Sequence, residues 1–456
     1  MNARMGLLAI FGLSLIGCAS PPKDSGFGDV QQMATEHIGH AVQWNQHTDD
    51  DQAVEASVHA MLHEELTLDR AVQIALINNH NLQASYEDLG IAQADLVQAG
   101  LLQNPVFNAI IRLPDGGGIT DMELSVTQNF IDLLSMPLRK KVAAASFEST
   151  KLKVAQQIVD LAGEAQAAFY SAQAAQQIAQ MQHAVMQSSA ASFDATKRIH
   201  DAENMSDLDF ATQQAQYEQA KLDEAQGEAD SALARERLNE IMGVWGSNTE
   251  WKITSHLPEM PATAIPIDGL EQFALKQRLD LAQARQEVEV ASRNIRASNL
   301  FGPFTDSSLG IDTEHDPSGQ WVTGPTLSIP IPLFDTGQAK VAKLKAQWRQ
   351  AHEQYAAKSV EVRSQVRTAW RQMQAAHDRA EEYRTAIVPL RQKIVEQTQL
   401  QYNGMLVGVF QLLDAKQNEI DANREYVASL REYWLARTGL QKALGGRLPK
   451  DQGELK

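Results

Sequence analysis

The chain has little with which to brace itself covalently or to run chemistry. It holds one cysteine, Cys18, so no internal disulfide can form. Beyond the first 20 residues, no apolar run approaches the ~20 residues of a membrane-spanning helix. Positive charge is in deficit, with 40 Lys and Arg against 57 Asp and Glu and a net charge of −17, which argues against a nucleic-acid partner. Enzyme signatures are missing too. Gly116-Gly117-Gly118 has no following Lys-Ser/Thr and reads as an exposed loop between strands, and neither a nucleophile elbow nor a His-Glu-x-x-His motif occurs. Catalytic residues and cofactors are therefore not expected.

What the chain does have is a near-repeat of itself. Sliding it by 199 residues sets Ala75 on Ala274, Asn81-Leu82 on Asp280-Leu281 and Lys141-Val142-Ala143 on Lys340-Val341-Ala342. Towards the end the offset grows to 202, placing Leu233-Ala234-Arg235 on Leu435-Ala436-Arg437 and Gly243 on Gly445. A repeat of this size means one architecture built twice, over residues 66–244 and 265–446, joined by a linker at 245–264 and followed by a tail at 447–456.

Residues 1–17 read as an export signal: Arg4 supplies a positive start, Gly6 to Ile16 a short apolar stretch, and Leu15-Ile16-Gly17-Cys18 closes it. That ending looks like a bacterial lipobox, which makes Cys18 the lipidated first residue of the mature chain. Ala19 then resembles an outer-membrane sorting signal. An ordinary signal peptide with a chance cysteine is the alternative. Residues 18–65 are polar, acidic and aperiodic and are expected to form a tether. Within them His59 and His63 have the i, i+4 spacing that places two imidazoles on one helix face, but no carboxylate or cysteine pattern completes a recognisable metal site, and none is assigned.

Each repeat opens with a predicted helix of about 33 residues, Leu68 to Leu101 and Asp268 to Leu300. Two strands follow. Met122, Leu124, Val126 and Phe130 alternate with polar neighbours after a partner at Val106 to Leu113, while Trp321, Leu327, Ile329, Ile331 and Leu333 share a face in the second repeat. Strands of nine or ten residues suit a tilted membrane strand, yet the smallest membrane barrels need about eight strands, so several chains must contribute. A soluble four-stranded sheet is the alternative. Very long helices are then expected over about Pro137 to His200 and Gln338 to Asn403, with return helices over about Leu208 to Met242 and Phe410 to Leu444. Val154, Ile158 and Leu161, then Ile178, Met181 and Val185, step by three and four as in a coiled-coil seam. Together these lengths predict a helical wall about 100 Å tall.

With these features in place, the chain resembles the TolC-like outer-membrane efflux family. Ile329-Pro330-Ile331-Pro332-Leu333-Phe334-Asp335-Thr336-Gly337-Gln338 is similar to the family's strand-to-helix signature, and Gln401-Tyr402 through Leu412-Leu413-Asp414-Ala415-Lys416-Gln417 to its helical-hairpin tip. The resemblance implies a mainly α fold with a small membrane β portion, assembled as a homotrimer whose four strands per chain make a twelve-stranded barrel continued by an α-helical tunnel. It implies a passive conduit in a tripartite system with a periplasmic adaptor and an inner-membrane pump. At the periplasmic entrance, Asp414 matches the second aspartate of a family constriction, Gln411 stands in place of the first, and Tyr402 matches a tyrosine that holds the tip shut. Val407 stands where some members carry a pairing arginine. Met405, Leu406, Val407, Val409 and Phe410 are expected to dock the adaptor, or else to pack between hairpin helices. Two rival readings are a structural periplasmic coiled-coil lipoprotein and an adaptor subunit; neither accounts for both four alternating strands and two complete repeats.

Overall fold

A computed structural model describes residues 25–46, 50–113, 115, 120–261, 265–301, 304, 306–315 and 318–449. Cys18, the export signal, the triple glycine at 116–118 and the end of the tail lie outside these residues. The chain divides into two compact units, one made of residues 1–30, 86–154 and 280–358, the other of residues 31–85, 155–279 and 359–456.

The element order is α1 (Phe27–Ile38), α2 (Asp50–His63), β1 (Glu65–Leu66), α3 (Leu68–Asn78), α4 (His80–Ala99), β2 (Val106–Arg112), β3 (Asp121–Asn129), α5 (Phe130–Asp201) and α6 (Asp207–Met242) in the first repeat. After a short β4 (Lys252–Ile253), the second repeat runs α7 (Leu270–Gln277), α8 (Leu279–Phe301), β5 (Ser308–His315), β6 (Trp321–Ser328), α9 (Gln338–Glu382), α10 (Val388–Asn403) and α11 (Val409–Ala443).

In the first unit β2, β3, β5 and β6 form one antiparallel sheet in that order. The hairpins of the two repeats are joined by β3 against β5, with Val126 opposite Ile311 and Leu124 opposite Thr313. Residues directly opposite share a face. One face therefore carries the row Phe107, Val126, Ile311 and Pro325, then Ile111, Met122, His315 and Trp321, and Leu309 with Leu327. The other carries Asn108, Ser125, Asp312 and Gly324, with Thr127, Gly310 and Thr326. The alternation of Met122, Leu124 and Val126 against Ser125 and Thr127 is thus realised. The second repeat's strand ends at Ser328, short of the expected Ile329, Ile331 and Leu333, because Pro330 and Pro332 cannot donate to a ladder. Gly310 is required where it stands: a Cβ there would lie 2.4 Å from the Val126 carbonyl oxygen.

α5 starts seven residues earlier than expected and keeps Pro137 inside it. Asn129, the last residue of β3, accepts the Asp132 N–H at 3.0 Å and so caps the helix without any loop. Asp132 is itself buried, pairs with Arg139 and accepts the Gln103 N–H at 3.1 Å.

The second unit explains a departure that occurs twice. Each predicted 33-residue opening helix is broken, at Asn79 and at Arg278, both in extended backbone with ψ of 115° and 117°. These residues are 199 apart, the offset of the repeat. At each break the side chain reaches a return helix. Asn79 donates to the Ile241 carbonyl at 2.9 Å and Arg278 to the Ala443 carbonyl at 3.3 Å. Each return helix ends in a left-handed glycine, Gly243 at φ 67° and Gly445 at φ 96°, so both helix ends satisfy carbonyls that would otherwise be buried without partners. Around them Leu238, Ile241, Met242, Leu440 and Leu444 pack with Ile74, Leu76, Leu270 and Phe273 in the core. β1 and β4 pair in parallel, Leu66 opposite Ile253.

The expected N-terminal tether is corrected by the fold: its described part holds helices α1 and α2, with Ala34, Val54, Val58 and Leu62 buried in the second unit. The Val54, Val58, Leu62 spacing is helical, and a short apolar stripe of this kind is hard to see among acidic neighbours. His37 is buried with its Nδ1 2.7 Å from the Gly445 carbonyl oxygen. The described part of the linker between the repeats is also held down, since Trp251 donates to Asn239 Oδ1 at 2.7 Å and Trp434 to the Pro258 carbonyl at 2.9 Å, and at the start of the second repeat Trp370 donates to the Ile265 carbonyl at 2.8 Å.

The expected continuous helix from Gln338 to Asn403 is likewise interrupted, by a π-turn at Tyr383–Ile387, where the Val388 N–H reaches back to the Tyr383 carbonyl. Pro389 supplies the cause. It has no N–H, and its ring crowds the carbonyl four residues earlier, so the preceding turn widens.

Candidate functional site: the two helical-hairpin tips

Two helical hairpins in the second unit, α5 with α6 and α10 with α11, end in short turns. Both turns are built the same way. At the first, the Glu203 N–H bonds to the His200 carbonyl at 2.8 Å and the Asn204 N–H to the Ile199 carbonyl at 3.1 Å. At the second, the Met405 N–H bonds to the Tyr402 carbonyl and the Leu406 N–H to the Gln401 carbonyl, both at 2.9 Å. Each is a Schellman closure with its left-handed position filled by a residue other than glycine.

The tips differ in how they are braced. Around the first, His200 stacks on Phe210 at 4.4 Å between centroids, Phe210 on Phe193 at 5.7 Å and Phe193 on Tyr217 at 5.1 Å. His200 also pairs with Asp207 at 2.9 Å, and Ser206 caps α6 by accepting the Asp209 N–H. Among the described residues no comparable aromatic brace holds the second tip, and α10 has no buried residue along its 16. This aromatic ladder is not among the features expected from the sequence. The spacing of Phe193, His200, Phe210 and Tyr217 about the turn was the available signal.

The residues expected to form the entrance fall on this second tip. Tyr402 lies on the last turn of α10 and is 39% exposed. Gln411 accepts the Gly408 N–H at 3.0 Å and so caps the start of α11, a local job that accounts for a glutamine there. Asp414 is exposed one turn further on, and Asn418 donates to its backbone carbonyl at 2.8 Å and to its carboxylate at 3.3 Å. Tyr402 and Asp414 therefore sit on adjoining helices of one hairpin. Of the five residues expected at a docking surface, Met405 and Leu406 are 94% and 79% exposed, while Val407, Val409 and Phe410 are half-buried. Two large apolar side chains standing in water at a turn have no packing role within the chain.

Among the described residues no cluster of three or more His, Cys, Asp or Glu could hold a metal ion, and no helix is long and apolar enough to cross a membrane. Neither statement bears on the sheet, whose apolar face carries Phe107, Ile311 and Leu327 each more than half exposed.

Comparison with known proteins agrees with this geometry. Residues 270–446 match the family model described as outer membrane efflux protein. The cobalt-zinc-cadmium resistance protein CzcC of Cupriavidus metallidurans is 23% identical over 392 residues, covering 83% of this chain and 90% of that one. Among solved structures, the Campylobacter jejuni CmeC outer membrane channel aligns with a TM-score of 0.70 at 14% identity, over 85% of this chain and 89% of that one. CusC, solved in a study of folding and transmembrane channel formation, aligns with a TM-score of 0.68 at 17% identity, over 85% and 94%. With its repeated helical hairpins and four-stranded sheet, the chain has the fold of these outer-membrane channel structures, and its second repeat is similar to the outer membrane efflux protein family.

Proposed function

We propose that this chain is the outer-membrane channel subunit of a tripartite efflux system, a passive conduit from periplasm to exterior. One observation carries the reading. The sheet ends in two strands, β2 and β6, whose outer edges have no strand partner among the described residues, and its apolar face is turned to solvent. In lipid, unpaired edges cost several kcal/mol per backbone group, so the sheet is complete only when further copies close it. Three copies give twelve strands.

In this reading Cys18 carries the lipid that ties each subunit to the outer membrane. The second tip is the gate, because it lacks the aromatic brace of the first. Three copies of Asp414 form a carboxylate ring that favours cations, and Tyr402 helps keep the tip closed. Met405 and Leu406, flanked by Val407, Val409 and Phe410, dock a periplasmic adaptor that links the channel to an inner-membrane pump. The cargo class carried over from CzcC is divalent transition-metal cations. Detergent-purified protein measured by light scattering tests the core of the proposal: a trimer is expected, and a stable monomer overturns it. Metal tolerance of cells with and without the chain and its pump tests the cargo, with loss of zinc or cobalt tolerance expected on deletion.

A further inference from the structure

α2 is held rigidly by its buried stripe Val54, Val58 and Leu62. The next stripe round the helix is Glu55, His59 and His63, each four residues from the last and each exposed. The two imidazoles converge: His59 Nε2 and His63 Nε2 lie 3.0 Å apart, with ring centroids at 4.2 Å and planes at 71°. Two neutral rings reach this distance either by sharing one N–H···N hydrogen bond or by turning both lone pairs towards a common point. Two metal–imidazole bonds of about 2.0–2.1 Å at a tetrahedral angle place their nitrogens roughly 3.3 Å apart. The bite observed is a few tenths of an ångström short of that, within the swing of two exposed rings. No third His, Cys, Asp or Glu stands close enough among the described residues to complete a closed shell.

From this we infer that His59 and His63 form an open, two-imidazole site for a borderline divalent cation such as Zn²⁺ or Co²⁺, with water filling the remaining positions. Imidazole nitrogen selects such ions over Mg²⁺ and Ca²⁺, which take oxygen. Two ligands on one preformed turn make binding exchangeable rather than structural, as suits a surface capture site. The helix is already formed without the ion, since its buried stripe holds it, so binding is read separately from folding. The site does not depend on the channel's cargo: its failure leaves the conduit untouched, and a channel for another cargo leaves the imidazole pair intact.

The test is Zn²⁺ titration calorimetry on the full detergent-purified chain, with Co²⁺ absorption as a second probe. One Zn²⁺ per chain is expected to disappear in His59→Ala and in His63→Ala, each weakening binding about tenfold or more because one of only two protein ligands is lost. His40→Ala serves as the control that keeps it. Both histidines are exposed, so the variants should keep the wild-type helix signal in circular dichroism. Wild-type protein with no such site, single variants that bind like wild type, or Mg²⁺ competing equally with Zn²⁺ would each overturn the inference.

Discussion

Glu203 and Met405 stand in the same place in the two repeats: each is the left-handed residue that closes a long helix, with φ of 59° and 57°. Their separation of 202 residues is the offset of the C-terminal part of the repeat. Left-handed backbone costs an L-residue about 1–2 kcal/mol, part of which glycine recovers. Glu203→Gly and Met405→Gly should therefore each stabilise the folded tip by about 1 kcal/mol, read as slower hydrogen exchange around the turn. The two variants should part in function. Met405→Gly should weaken adaptor binding while gaining stability, whereas Glu203→Gly should leave it unchanged; equal adaptor affinity in both would remove Met405 from the docking surface.

At the proposed gate, Asp414→Ala should raise single-channel conductance and lower cation preference in planar bilayers. Tyr402→Phe should loosen the closed state by the worth of one hydrogen bond, about 1 kcal/mol. Asp132 is unsuitable as the neutral control, because it is buried, pairs with Arg139 and caps the Gln103 N–H. Asp230, exposed on α6, serves instead. Unchanged conductance and selectivity in Asp414→Ala would place the constriction elsewhere.

For the sheet, cysteines introduced on β2 and β6 should cross-link between chains and not within one, since the two strands lie at opposite edges. Reducing and non-reducing gels then read a ladder up to trimer. Gly310→Val should break the β3–β5 pairing, because the added Cβ meets the Val126 carbonyl at 2.4 Å. Loss of the trimer band at unchanged expression is the expected result, and an intact trimer would mean that this pairing is dispensable.

The π-turn offers a fourth test. Pro389→Ala restores the missing N–H and should convert the turn to regular helix, stiffening the route to the second tip and lowering the frequency of channel opening. Within the turn, Arg384 donates two hydrogen bonds to Glu381 just before it, which holds that carboxyl below its ordinary range. A lowered pKa in the folded state means that the pair's contribution is present above the ordinary glutamate range and is lost as pH falls through the lowered value. Acid should therefore speed exchange at 383–387, and Glu381→Gln should abolish that acid effect at this site.

The parts of the fold written in local pattern were the parts that could be read. Period-two alternation at Met122, Leu124 and Val126 gave the strands, and three-four spacing gave the long helices. What escaped were features set by distant partners. Nothing near Asn79 or Arg278 announces a break; each bends the chain because a return helix about 160 residues away offers carbonyls. α1 and α2 were hidden in the same way, since their apolar stripes have meaning only against the body they cover. At the tip, the positions of Tyr402 and Asp414 on one hairpin were legible, but the capping role of Gln411 needed the geometry of Gly408.

The contact between His37 and Gly445 joins residues 408 apart in the chain. A ribosome releases the first long before the second exists. Phe27 against Tyr86 and Asp29 against Lys151 can form early, but the C-terminal half of α1 gains its His37 anchor only when the last helix has closed at Gly445. Loop-closure entropy makes such a long-range contact one of the last to form. Chains cut short before Gly445 should consequently loosen the His37 end of α1, offering proteases a handle that full-length chains conceal.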